Sequence, residues 1–144
     1  MTAQNEHFAR DIQALVLSMP VAQLLQLRFE RLEAGEVDLC LPYQDGLSFR
    51  PGQLQASAVF AIADFAAVSA AGTLLPPGWV NATIDCSIKY LAPANGTLLR
   101  ARGQVIHATK LLTVAKADVF SCRDGQEVLC ATLLATARNL PPAQ

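Results

Sequence analysis

Hydrophobic and polar positions fall into two rhythms along this chain. From Leu54 to Gly72, LQASAVFAIADFAAVSAAG, alanines alternate with Val59, Phe60, Ile62, Phe65 and Val68 and no proline intervenes, which predicts one long helix. The stretch has almost no polar face, so the helix is expected to be buried all round. A period of two follows it. Val80 to Leu91 sets Thr83, Asp85, Ser87 and Lys89 against Ile84, Cys86, Ile88 and Tyr90, and Thr97 to Ala108 sets Arg100, Arg102 and Gln104 against Leu99, Ala101 and Val105. Leu111 to Cys122 and Val128 to Arg138 predict a strand pair across Arg123-Asp124-Gly125-Gln126, where Asp-Gly is a hairpin signal.

Upstream, residues 7–26 carry helical spacing in Ile12, Leu15, Val16 and Met19, and Pro20 divides this run from a second short helix with Val21, Leu24 and Leu25. Leu27 to Ala34 and Glu36 to Leu41 read as two strands around Gly35. Pro42 to Gly52 and the TLLPPGW segment read as loops, and Pro141 to Gln144 as a loose tail. Strands joined by short turns imply an antiparallel sheet, and one apolar helix inserted after the second strand implies that the sheet curls around it. The expectation is an α+β fold in a single domain, residues 1–144, with N-terminal helices at about 7–26 and the sheet-and-helix core at about 27–140.

Composition narrows the function. The chain is 52% hydrophobic and 16% charged, more apolar than burial in one small core requires, which points to self-association. Its net charge of −1 carries no basic footprint for nucleic acid. The apolar run around Asp64 is too short and too interrupted for a membrane span, and the MTAQNEHFARD start lacks signal-peptide character, so a cytoplasmic protein without membrane partners is expected. Cys40, Cys86, Cys122 and Cys130 form no CxxC pair and are read as reduced, half-buried thiols; with only His7 and His107 beside them, no metal site is expected.

One residue breaks the pattern. Asp64 is the only charged residue between Arg50 and Asp85, and it falls in the middle of the apolar helix. An unpaired carboxylate there costs several kcal/mol, so it requires a partner, a shifted pKa or a use.

The element order, together with ASAVFAIADFAAVSAAG and the following ATIDCSIKYLAPANGTLLRARGQVIHATKLLTVAKADVFS, resembles the hotdog-fold acyl-CoA thioesterases, in particular the branch related to phenylacetic-acid thioesterase. The likeness runs from about Leu27 to Arg138. In that family His-Gly-Gly opens the central helix ahead of an acidic residue; here Gln55-Ala56-Ser57 stands in its place and Asp64 is the acid. The resemblance implies hydrolysis of an acyl-CoA or related thioester without a cofactor. Asp64 is then general base or nucleophile, the Ala56 backbone N–H polarises the carbonyl, Gln55 donates to a substrate oxygen and Thr83 holds water. Ser57, Phe60, Phe65 and Lys110 are the implied substrate contacts, with Arg100 and Arg102 as further cations for coenzyme A; Gln55 and Ser57 are equally readable as helix caps. Phe49 occupies the loop position where relatives carry Asn.

Ala56 and Asp64 lie eight residues apart, about 12 Å along a helix, too far to meet at one carbonyl. A site using both therefore needs two chains, as a homodimer or a tetramer built from dimers. The alternatives are a hotdog protein that binds acyl thioesters or another apolar ligand without cleaving them, and a dehydratase, whose usual helix histidine is absent here.

Overall fold

In the computed structural model, which describes residues 1–144, the apolar stretch forms a single 17-residue helix, α3 (Ala56–Gly72). Two short helices precede it, α1 (Phe8–Leu17) and α2 (Pro20–Leu24), with Pro20 at the first helical position, where its missing N–H costs nothing. The hairpin β1 (Arg28–Glu33) and β2 (Glu36–Pro42) turns through Gly35 at φ 84°. Between Pro42 and α3 the expected loop holds more order than its composition suggests. A 3-10 turn (Asp45–Leu47) leads into a miniature hairpin, β3 (Ser48–Arg50) and β4 (Gln53–Leu54), so Leu54 belongs to a strand and the helix begins two residues later than its apolar pattern.

After α3 come β5 (Val80–Tyr90), β6 (Leu98–Ala108), β7 (Leu112–Arg123) and β8 (Gln126–Leu140). Asp124 and Gly125, at φ 51° and 76°, make the two-residue turn between β7 and β8 that the Asp-Gly pair predicts. The long strands form one six-stranded antiparallel sheet in the order β1-β2-β6-β7-β8-β5, leaving β1 and β5 at its edges. It curls around α3 as the sequence implies.

The helix sits close because both surfaces are cut down to small side chains. Ala63, Ala66, Ala67 and Ala70 of α3 are fully buried, opposite Ala101, Ala117, Ala131 and their neighbours on the inner face of the sheet. At Gly103 the contact is backbone to backbone: a Cβ there would stand 2.5 Å from the Ala66 carbonyl carbon and overlap its oxygen. The C-terminal end of α3 is tied to the β1–β2 turn through fully buried Thr73, whose hydroxyl accepts from Gly35 N–H at 2.7 Å and donates to Ala70 O at 2.6 Å.

The expectation of burial on every side is corrected by the packing. Phe60, Ala61, Asp64, Phe65 and Val68 form a half-exposed stripe, because one curled sheet and α1 cover only part of the helix circumference. On the outer face of the sheet Arg100 pairs with Glu30 at 2.6 Å and Glu127 at 2.7 Å, and Arg102 pairs with Glu127 at 3.0 Å. The Arg100 guanidinium holds the Glu30 carboxyl below its ordinary range. Both arginines are thus engaged on the face opposite α3, where they do not meet the helix.

Gly103→Ala is expected to destabilise the protein by about 3 kcal/mol, since neither opposing backbone can yield without moving the helix. A drop in thermal midpoint of less than about 2 °C would show that α3 is free to shift.

Candidate functional site

Strand β5 runs antiparallel to α3 and touches it at three levels. Tyr90 Oη donates to Ala56 O at 3.3 Å at the helix start, and Asn81 Nδ2 donates to Val68 O at 3.1 Å toward its end. Between them Asp64 Oδ1 accepts from Thr83 Oγ1 at 2.9 Å and from Cys86 Sγ at 3.6 Å. Its second oxygen, Oδ2, has no partner in the chain.

Thr83 and Cys86 are three residues apart and in a regular strand would face opposite sides. A bulge resolves this. Thr83 pairs with Ala137, Cys86 with Ala135, and the register slips between Thr83 and Asp85, so Ile84 is an extra residue. Ala135 and Ala137 both point inward, and Thr83 and Cys86 therefore do too. The alternation read from the sequence, with Thr83 on the polar face and Ile84 on the apolar one, is corrected here: Ile84 projects outward, 57% exposed. Cys86, read from sequence as only a half-buried thiol, is a second donor to the carboxylate. That it meets Asp64 together with Thr83 depends on the bulge, for which the sequence offers no signal.

Burial, the Asp64 charge and the hydrogen bond to it push the Cys86 thiol up to about 11, so it remains a protonated donor at neutral pH. All four cysteines are free.

At the helix start Gln55 is the cap: its Oε1 accepts from Ser57 N–H at 2.5 Å, while Gln55 O accepts from Ala58 N–H at 3.0 Å. Ser57 is capped by Gln55 and does not itself cap the helix, and Ala56 N–H, at the positive end of the helix dipole, forms no hydrogen bond within the chain. The Gln55 side-chain nitrogen, Nε2, is likewise left open, whereas its backbone N–H donates to Leu47 O at 2.9 Å.

The candidate residues distribute over three clefts. Asp64, Phe65 and Thr83 line an apolar one of about 310 Å³ between α1, α3 and the start of β5. Gln55 and Ser57 line a second, about 410 Å³, with Val21, Leu25 and Leu47. Lys110 lines a third and larger one, about 710 Å³, with His107, Thr109 and Asn139 beyond the C-terminal end of α3. Phe60 packs against the core and lines none of these three. Ala56 and Asp64 remain at separate levels of one helix. No three His, Cys, Asp or Glu side chains gather as a metal-binding group, and no helix is long and apolar enough to cross a membrane.

The contact between Asp64 and Cys86 has a direct chemical readout. With its pKa near 11, Cys86 should be alkylated by iodoacetamide about tenfold faster for each unit of pH between 8 and 10, followed by mass spectrometry of its peptide. Asp64→Asn removes a charge that raises the thiol pKa, so alkylation at pH 8 should accelerate; an unchanged rate would mean that the two groups do not interact.

Comparison with known proteins places this geometry. The family profile of the thioesterase superfamily matches residues 56–128, from the start of α3 into β8. A thioesterase family protein from Silicibacter pomeroyi is similar at 32% identity and TM-score 0.90, covering 93% of this chain and 98% of its own. A thioesterase from Haemophilus influenzae shares the fold at TM-score 0.85 and 16% identity, covering 100% of this chain and 98% of its own. So does the PaaI protein of the Escherichia coli phenylacetic acid degradation operon, at TM-score 0.83 and 15% identity, covering 98% of this chain and 99% of its own. Comparison with curated protein sequences finds no match. The profile match over the helix and the strands that enclose it, joined to the near full-length identity with the Silicibacter protein, makes this chain a member of the thioesterase superfamily, built on the hotdog fold.

Proposed function

We propose that the protein hydrolyses an acyl-CoA or closely related acyl thioester, at sites shared between two copies of the chain. The observation that carries this reading is the Asp64 carboxylate, set in a half-open apolar stripe with one oxygen fixed by Thr83 and Cys86 and the other free. In the proposed reaction the free oxygen takes a proton from water as that water adds to the thioester carbonyl. The carbon–sulfur bond then breaks, the proton passes to the departing thiolate, and an acid and a free thiol leave. Nucleophilic attack by Asp64 itself, followed by hydrolysis of the mixed anhydride, gives the same products.

The carbonyl oxygen gains negative charge in either route and requires a donor. Ala56 N–H suits that role, unbonded at a helix N-terminus, but within one chain it stands about 12 Å along the axis from Asp64. A second copy running antiparallel brings its Ala56 to this Asp64. The open edge of β5, with Ile84 57% and Tyr90 50% exposed, supports such pairing, as does the half-exposed stripe of α3. A homodimer is the minimal assembly on this reading, and a tetramer built from two such dimers is compatible with it.

Asp64→Asn should lower turnover of acyl-CoA by about 10²–10⁴-fold, measured as free thiol release, with little change in thermal midpoint. Saturable acyl-CoA binding by the wild type with no Asp64-dependent thiol release would leave only a binding protein. Ala56→Pro deletes the proposed donor at a helix position that tolerates proline, and Gln55 already has the extended ψ of 149° that a following proline demands. This variant should lose about 10²–10³-fold. Refolding equal amounts of the two inactive variants together should restore about a quarter of wild-type activity, because half the dimers are mixed and each holds one intact site. No recovery, with mixed dimers demonstrably formed, would rule out a shared site.

A further inference from the structure

We infer that the cleft between α1, α3 and the start of β5 receives the acyl group, and that it selects an uncharged, apolar chain or aryl-alkyl group of medium length. This rests on the thioesterase reading of Asp64 and extends it, since that reading says nothing of where the acyl group goes. Asp64 and Thr83 line the cleft at one end, and it follows α3 to Gly72, with Leu75 and Trp79 beyond the last turn. Eight helix residues span about 12 Å. With carbon–carbon bonds of about 1.5 Å in a zigzag, an extended chain of about eight to ten carbons covers that length. The volume of about 310 Å³ lies at the small end of ligand sites, suited to one acyl group with the rest of the thioester outside.

The walls decide the chemistry. Ile12, Leu15 and Val16 form one face of α1 with Met19 just beyond it, Phe65 and Val68 line the cleft from α3, and Trp79 stands past the helix end. Leu15 is 48% exposed although it lines the cleft, an apolar surface that a bound chain would cover. Asp64 is the only charged lining residue; no Lys, Arg or His is present to neutralise a terminal carboxylate. Asn81 Nδ2 is committed to Val68 O and Thr83 Oγ1 to Asp64, and the Ser69 hydroxyl and Trp79 indole N–H that also line the cleft are neutral. A charged acyl terminus would therefore be desolvated without a counter-charge.

Trp79 is the only tryptophan in the chain, so its emission reports the cleft directly. Titration of the intact protein with S-octyl-CoA, a thioether that cannot be hydrolysed, should change that emission saturably. Coenzyme A alone should not, and the thioether of the same length ending in a carboxylate should bind at least about tenfold more weakly. In turnover, octanoyl-CoA should exceed succinyl-CoA in kcat/KM by at least about tenfold. Val68→Phe, which plugs the cleft one turn beyond Asp64, should move the preferred substrate to shorter chains, read as a fall of at least about tenfold in the ratio of octanoyl-CoA to butyryl-CoA kcat/KM; Leu15→Phe narrows the cleft from exposed α1 should Val68→Phe fail to fold.

Equal binding of the carboxylated thioether, or octyl binding by calorimetry that leaves Trp79 silent, would overturn the assignment. So would Trp79 emission that depends on protein concentration and ignores S-octyl-CoA, because a second copy would then fill the cleft. If Trp79 responds to the thioether while no thioester is cleaved, the hydrolase reading fails and the cleft assignment stands. If thioesters are cleaved with the same chain-length profile by wild type and both variants, the cleft assignment fails and the hydrolase stands.

Discussion

The arrangement depends on how close α3 can lie to the sheet. Alanines on both surfaces, and the absence of any side chain at Gly103, let the two backbones approach until another Cβ would overlap Ala66. Interiors pack near crystal density, so this spacing leaves little slack. Threonine and cysteine are among the shortest side chains with a polar hydrogen, and from β5 both reach Asp64 only because the helix stands near. Larger residues along the seam would lift α3 and break those contacts before they unfolded the chain. The same closeness lets Asn81 and Tyr90 bond to backbone carbonyls of α3, so the edge strand is held along most of the helix.

Asp64 illustrates how a half-buried acid can be held without a counter-charge. No cation is bonded to it; a hydroxyl and a thiol hold one oxygen. The basic residues with the strongest pairs, Arg100 and Arg102, are bound to Glu30 and Glu127 on the other side of the sheet. An acid held by neutral donors keeps a free oxygen available, whereas a bidentate arginine would occupy both. The raised thiol pKa of Cys86 belongs to the same economy of charge, because a thiolate beside Asp64 would repel it.

Much of the fold was legible because its signals are local and repeated. Seventeen residues of helical composition, four long alternating stretches and an Asp-Gly turn each point one way, and the observed order of long elements follows them. The β3–β4 hairpin is too short for periodicity to register, and it shifts the start of α3 to Ala56. Gln55 caps that start although serine is the stronger cap by preference, since capping is decided by which side chain stands at the boundary. Among the candidate site residues, Asp64 was conspicuous as a charge in an apolar helix and Thr83 came from resemblance. That Cys86 shares Asp64 with Thr83 was not legible, because a single inserted residue changes which side of the sheet Thr83 faces. Lys110 lies in a cleft apart from Asp64, a separation set by long-range packing that spacing along the chain does not encode.

The bulge at Ile84 carries a consequence for how this sheet tolerates change. Removing that one residue would leave Thr83 and Cys86 two apart, so that a regular strand would still aim both at the helix; keeping it while straightening the bulge would turn Thr83 away. The environment of the carboxylate is thus written partly in parity, an odd count where an even one would serve the ladder equally well. A change of length in β5 that the bulge does not absorb therefore weighs more heavily on Asp64 than most replacements of one side chain by another.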